Sequence, residues 1–508
     1  MTARFRHIFL STAAILPLLA GSVIAEEEEL KPVNQADLNA MSKEKGPNAA
    51  FEHAFEAGDE LTEFSFSAAR GVGANVGEGR RFSRFPRADL KGEKEWAKHT
   101  PEREGGPNAT SCIACHNAPG PNGAGDVAVN VVVDPGHTGD PSKFLERNTL
   151  PLFALGIPQR LAEEMSVELY AQRDAAKAEA CKSGTAIANL SAKSVSFGSV
   201  TINRVSESPC KVQFDWSKLE GIDTDLVVKA FGWKGNHSTI RAFTRGAAHN
   251  ELGLQGVELV GDKDGDHDGI TNELTVGDMT ALTIYMAGLE RPVTKLELAD
   301  LGLENVSAEE RKEIEHGRSV FGATGCGTCH IPEMRLENPV FSEPSTTPGF
   351  HDVAFPSGEK PSDHALKQDL AIWLDMTKDQ PNNRIETKAG KTVLLGAMKT
   401  AQGGTALAHW FTDFKRHDMG EGLADPDDPL KIGARMWPTR SLAGVGSTGP
   451  WLHDGRATTL DEAILYHGGA GSAARKNYLD LSEGDQKALI AFLKNLVIFK
   501  QEEEEDDH

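Results

Sequence analysis

The sequence is short of positive charge, of long apolar runs and of cysteine, and each shortage narrows what the protein can be. Lys and Arg number 53 against 75 Asp and Glu, a formal charge of −22. So acidic a chain lacks the electrostatic footprint of a nucleic-acid binder. Part of the excess lies in two runs, Glu26–Glu29 and Glu502–Asp507, which read either as solvated tails or as a field that attracts a basic electron-donor redox protein. The one marked apolar run, Ile8–Ala20, contains Pro17 and is too short to cross a bilayer comfortably. Arg4 and Arg6 precede it and Val23-Ile24-Ala25 follow, so residues 1–25 have the form of a secretory signal peptide. The expectation is an exported, soluble periplasmic chain with no membrane span after cleavage. With 39% hydrophobic residues the remainder can bury real cores, and 508 residues suggest two large domains or three.

Cysteine occurs only six times, and four of the six stand in one repeated pattern. Cys112-Ile113-Ala114-Cys115-His116 and Cys326-Gly327-Thr328-Cys329-His330 are both Cys-x-x-Cys-His, the attachment site of a c-type haem. The thiols add to the two porphyrin vinyl groups, and His116 and His330 are placed to ligate iron. The competing use of four cysteines is a zinc knuckle, against which the histidine directly after each pair argues. Cys181 and Cys210 remain, an even pair in an oxidising compartment, and predict a disulfide. It would staple an insertion over about 181–215 that holds the strand-like alternation of Val195–Ile202.

Elsewhere the patterning reads as helix. Asn48–Phe66 is amphipathic, Arg70–Lys94 a Gly- and Arg-rich connection, and Leu150–Met165 and Val167–Ala180 two further helices. Ser238 is placed to cap a helix to Ala248, and Ser307 with Glu310 forms a capping box opening a helix into the second haem motif. Leu489, Ile490, Phe492, Leu493, Leu496 and Val497 share one face of a last helix. Helix before the motif and helix at the end is the cytochrome c arrangement. The expected fold is therefore mainly α, with two cytochrome c-type haem domains in tandem over 26–300 and 301–500, a small disulfide-stapled β insertion, and an acidic tail at 501–508.

Two more features bear on the halves. Trp233-Lys234-Gly235-Asn236-His237-Ser238-Thr239-Ile240 and His453-Asp454-Gly455-Arg456-Ala457-Thr458-Thr459-Leu460 both read as turn, glycine, hydroxyl cap, then helix, each about 120 residues after a haem histidine. Two domains of common design account for this repeat. Asp262, Asp264, Asp266 and Asp268, with Glu273, alternate as the hard oxygen ligands of a calcium loop do, but Gly269 is two positions late for the standard pattern. Calcium over 262–273 and a plain acidic turn both stay open.

A haem with two protein ligands passes electrons, whereas one with a weak or movable ligand can bind and cleave peroxide. For the second haem the far-side candidate is His467, four turns of helix past His453 and followed by Gly468-Gly469, with Met419, His417 and Tyr466 as rivals. For the first haem the candidates are His249 and Glu251, since an imidazole or carboxylate above iron can move a peroxide proton from the near to the departing oxygen.

These stretches resemble the bacterial di-haem peroxidase superfamily, which holds the di-haem cytochrome c peroxidases and MauG-type enzymes, and within it the di-haem oxidoreductase branch. The resemblance is carried by Phe231-Gly232-Trp233-Lys234, Arg416-His417-Asp418-Met419-Gly420, and Pro450–Ile464. It implies that Trp233 matches the tryptophan lying between the haems, although Asp-Gly-Arg of the peroxidases is Lys234-Gly235-Asn236 here. It implies that Glu251 matches the catalytic glutamate, with Phe243 where a glutamine accompanies it. It puts His467 where the peroxidases have methionine and the MauG type tyrosine, giving bis-histidine ligation and a lower potential. The expected protein is an exported di-haem c-type oxidoreductase with two covalent haems. Peroxide, or a small oxidisable substrate, would react at the first haem with electrons delivered from a redox protein through the second. The alternatives are MauG-like oxidation of a protein or organic substrate, and a non-catalytic electron-transfer cytochrome with its irons closed by His249 and His467.

Overall fold

The Val276–Gly288 helix is buried along its whole length and centres the first half of the chain. Thr275 and Asp278 close a reciprocal capping box at its start, and Asp278 also accepts the Val33 backbone N–H at 2.7 Å. The computed structural model describes residues 30–72, 108–126, 131–134, 138, 140–264, 269–380, 383–386, 390 and 392–499. The expected signal peptide, both acidic runs, most of the Arg70–Lys94 connection, Asp266 and Asp268 lie outside the described residues. No helix among the described residues is long and apolar enough to cross a membrane.

Each half builds the same helix crossing. Ahead of the first motif, the Pro47–Glu63 helix meets the buried Val276–Gly288 helix at Gly58, where a Cβ would collide with the Ala281 carbonyl. Ahead of the second, the Ala308–Thr324 helix meets the Glu483–Asn495 helix at Gly317, where a Cβ would collide with the Ala488 carbonyl. A missing side chain lets each pair approach backbone to backbone. Around the second crossing Phe321, Phe411 and Phe492 form a tilted aromatic cluster with Leu460, Leu489 and Leu493.

The expectation of a mainly α chain is corrected. Helix accounts for about 40% of the structure and strand for 18%, and the strands form seven small antiparallel sheets among the described residues. A three-stranded sheet, Thr185–Ala192, Val195–Glu207 and Cys210–Leu219, pairs in sequence order. Most of the others use strands of two to four residues, such as Val340–Glu343 on Ile372–Asp375 and Arg416–Asp418 on Met436–Pro438. Runs so short cannot display the alternation that marks a strand in sequence, because pairing is decided by a partner distant in the chain.

Several boundaries also shift. Leu150–Leu155 is not helical, and the two helices expected to follow are one, Gly156–Ser183. Thr239, not Ser238, caps the next helix, Ile240–Ala247, by accepting from Ala242 N. The four helical turns expected between His453 and His467 shrink to Leu460–Leu465. Cys181 and Cys210 are joined in a disulfide with Cα atoms 5.9 Å apart, tying the end of the long helix to the third strand of the insertion, which runs on to Leu219.

The halves are bound across the middle. Strand Leu496–Val497 pairs with Val293–Thr294. Arg241, on the Ile240–Ala247 helix, donates to Glu343 at 2.7 Å and also pairs with Glu258, while Arg245 donates to Glu258 at 2.6 Å and Asp352 at 3.0 Å. Burial pushes the Glu343 carboxyl up despite Arg241 beside it, so this network stands only while every charge keeps its partner. It fixes the helix that leads directly into His249.

Candidate functional site

The two Cys-x-x-Cys-His motifs open onto one continuous cavity of about 1040 Å³. Cys112, Cys115 and His116 line it with Cys326, Cys329 and His330, and His249, Glu251, Trp233, Met419 and His467 line it as well. Apart from Tyr466, the residues expected from sequence to act at a haem line this one space.

The histidines share a geometry. Nδ1 of His116 lies 3.2 Å from the Gly123 carbonyl oxygen, that of His330 3.3 Å from Phe411 O, that of His249 3.3 Å from Leu254 O and that of His467 2.8 Å from Ala463 O. A ring that gives its Nδ1 proton to a backbone carbonyl is held in the tautomer whose Nε2 ligates metal. Burial, outweighing these bonds, pulls His116 down to about 4, and burial with the neighbouring His467 does the same to His330. Both rings are neutral, as a metal ligand must be.

His330 and His467 face each other with ring centroids 6.3 Å apart and planes at 58°. That gap has room for one metal ion with a bond of about 2 Å to a nitrogen of each ring. The rivals at this position fare differently. Met419 lies beside His467: its Cε and the His467 Cδ2 come within 3.3 and 3.2 Å of where a Gly471 side chain would begin. His417 is half-buried, and its Nε2 lies 2.8 Å from the Asp413 carboxylate, which engages that nitrogen. Tyr466 is exposed beneath the Arg456 guanidinium.

Burial, with Cys115 adding to it, pushes the Cys112 thiol up to about 12; burial pushes Cys326 up to about 11. Such sites keep the thiols neutral, as the uncharged thioethers of haem attachment would also be. The cysteines of the two motifs do not converge: among the described residues the one cluster with metal-binding spacing is Cys329, Asp413 and His417. The donor set, the 6.3 Å gap between His330 and His467 and the shared cavity fit two haems.

His249 is buried on a π-helical turn, Ala248–Leu252. Such turns recur at functional sites because the extra residue re-aims side chains. The Glu251 carbonyl accepts from Asn108 N and Ala109 N at 2.6 and 3.1 Å, and the Asn108 amide also donates to the Glu251 carboxylate. The segment leading into the first motif therefore orients Glu251. Of the calcium candidates, Asp264 accepts from Gly269 N at 3.1 Å, whereas the Glu273 carboxylate accepts from Gln255 N at 2.7 Å and lies against Gly71.

The repeated turn is real at the level of hydrogen bonds. Phe231 exchanges backbone bonds with His237, and Trp451 with Ala457, before Thr239 and Thr459 cap their helices. The third residue of each turn is Trp233 or His453, and their rings meet edge to face at 6.4 Å. Asn148 links them, accepting from Trp233 Nε1 at 2.7 Å and donating its own N–H to the His453 carbonyl at 2.7 Å.

Sequence reasoning missed what surrounds this pair. Trp437 stacks on His453 at 4.2 Å, and the Lys234 ammonium lies 3.9 Å from the centroid of the Trp437 ring. Asp425 holds Arg147 in a two-pronged ion pair at 3.0 and 2.9 Å and lies 3.5 Å from Lys234. The Arg440 guanidinium reaches the carbonyls of Ala230, Gly232 and Trp233 and covers the Trp233 ring at 5.5 Å. Burial and the like charge of Arg416 pull Arg440 down to about 9. Lys234 and Arg416 stand in motifs, but Trp437, Asp425, Arg147 and Arg440 do not, and only the fold brings them together.

Comparison with known proteins agrees with the motifs. Residues 384–496 match the family "Di-haem oxidoreductase, putative peroxidase". Cytochrome-c peroxidase IdrP2 of Denitromonas iodatirespirans is 38% identical over 82 residues, 16% of this chain and 22% of that protein. Cytochrome-c peroxidase IdrP2 of Pseudomonas sp. (strain SCT) is 27% identical over 193 residues, 36% of this chain and 39% of that protein. The chain thus matches well under half the length of these curated relatives. A solved MauG-like protein associated with microbial copper homeostasis aligns over 52% of this chain and 68% of its own at 16% identity, with a TM-score of 0.25, too low to bear on the fold. Residues 384–496 are thus similar to the di-haem oxidoreductase family, and parts of the chain are similar to curated cytochrome-c peroxidases.

Proposed function

We propose that the protein is an exported di-haem c-type oxidoreductase that reduces peroxide at the first motif, using electrons admitted at the second. The observation that carries this reading is the single cavity lined by both motifs, by the facing pair His330 and His467, and by His249 and Glu251.

Cys112 and Cys115, and Cys326 and Cys329, would hold the haems as thioethers, with His116 and His330 as iron ligands. When bound, haem supplies iron that exchanges single electrons and, where one side is open, takes up peroxide. His467 covers the far side of the second site and keeps it for electron transfer. Trp233, pinned by Asn148, offers an aromatic path toward the first site. Glu251, oriented by the Asn108 amide, takes the proton from the near peroxide oxygen and returns it to the departing one. Two electrons and two protons convert each peroxide to two waters.

His249 favours a second reading. It shares the Nδ1-to-carbonyl arrangement of His116, His330 and His467. Permanent ligation by His249 would leave an electron-transfer cytochrome without peroxide chemistry. Peroxide turnover by the holoprotein with a reduced donor separates the two: turnover supports the enzyme, and its absence with both haems loaded supports the carrier.

A further inference from the structure

Arg440 carries a half-buried positive charge with no carboxylate partner among the described residues. Its hydrogen bonds go to backbone carbonyls, those of Ala230, Gly232 and Trp233, and it lies over the Trp233 ring. Its Nε is shielded from solvent and has no hydrogen-bond partner. The nearby Arg416 adds repulsion and is itself satisfied, holding Asp223 at 2.5 and 2.9 Å. Among the described residues no carboxylate pairs with Arg440. A half-buried guanidinium left so is costly, because carbonyl dipoles replace hydration but not a counter-charge.

Its position names the missing group. Arg440 lines the shared cavity together with Cys326, Cys329 and His330. The same residue thus stands at the second motif's part of the cavity and holds the Trp233 turn through its guanidinium. A haem carries two propionate carboxylates, and the fork of a guanidinium matches a carboxylate. We propose that Arg440 binds a propionate of the haem held by Cys326, Cys329 and His330, and so locks the Trp233 turn to that haem. This rests on the di-haem reading. Arg440 is a positioning residue: it sets the charge beside the entry haem and the seat of the tryptophan.

The test compares the holoprotein with R440K and R440Q. Haem content per chain is measured by pyridine haemochrome, midpoint potentials by spectroelectrochemical titration, and the propionate-bending band by resonance Raman in H2O and D2O. In the wild type the band shifts on deuteration, reporting a propionate bonded to exchangeable N–H groups. R440K keeps the potential of the second haem close to the wild type. R440Q loses the deuteration shift and moves that haem roughly tenfold toward the ferric form, about 59 mV for one electron. Two bound haems with an unshifted band in the wild type, or an unchanged band and potential in R440Q, overturn the proposal. Should R440Q fail to fold, the wild-type deuteration shift alone decides. A wild type with no haem at the second motif removes the di-haem reading and the proposal with it, a failure distinct from unchanged spectra on loaded protein.

Discussion

Trp233 and His453 hold the same place in two copies of one turn, and their rings meet edge to face with centroids 6.4 Å apart. The internal repeat is thus a contact as well as a pattern: equivalent positions of the two halves touch where the motifs share a cavity. Replacing Trp233 with Phe removes the indole N–H bond to Asn148, a cost of about 1 kcal/mol. Both haems should stay bound, and electron exchange between them, followed by rapid mixing with reductant, should slow. Exchange at the wild-type rate would take Trp233 out of the path.

Glu251 is held from two sides by Asn108, through its carbonyl and its carboxylate. Glu251→Gln keeps the shape and removes the proton carrier, so peroxide turnover should fall by roughly 10²–10⁴-fold. Haem content and the ferric spectrum of the second site should not change. A variant with full turnover would show that the proton travels elsewhere, with His249 the next group to replace.

How much of this was legible in the sequence depended on how local the signal was. Cys112, Cys115 and His116 sit within five residues, and their spacing alone announced the chemistry. The Ser307 cap obeys helix rules readable over a few residues. The role of Arg440 rests on carbonyls some 200 positions earlier in the chain, and Trp437 gains meaning only from His453 and Lys234. The short strands failed for the same reason: Ala406–Ala408 has no strand signal of its own until Met334–Leu336 lies beside it. His467, proposed from its glycine-rich surroundings and family position, does face His330, yet the helical spacing used to reach it was wrong.

Acid should loosen the Trp233 turn before it unfolds the rest. Burial would raise the Asp223 carboxyl, but hydrogen bonds and charge from Arg416 and Lys229 hold it down at about 2, against a usual 3.8. A depressed folded pKa gives stabilisation that is complete above 3.8 and lost as pH falls through 2. Arg416 also donates to the Lys234 and Gly235 carbonyls at 3.1 and 2.7 Å. Asp223→Asn should therefore be less stable than wild type at neutral pH and should lose this part of the acid dependence. Parallel stability curves between pH 5 and 2 would contradict the assignment.

The ion network of Arg241, Glu258, Glu343, Arg245 and Asp352 is a structural joint between the halves. Arg241→Met leaves Glu343 and Glu258 short of their counter-charge, and loss of about 3–5 kcal/mol is expected in denaturant unfolding. Since the same helix leads into the π-helical turn, the spectrum of the first haem should shift while that of the second holds.

The central claim is that one haem is closed by two histidines and the other opens for reaction. Electron paramagnetic resonance and optical spectra of the holoprotein, taken oxidised and at half reduction, test it most directly. The expected result is a low-spin bis-histidine signal from the site of His330 and His467, and a second haem that becomes high-spin on half reduction and responds to peroxide. In His467→Ala the low-spin signal of the second site should vanish. Two haems that remain six-coordinate and low-spin at every redox level, and that ignore peroxide, would make the first site a wire and contradict the enzyme.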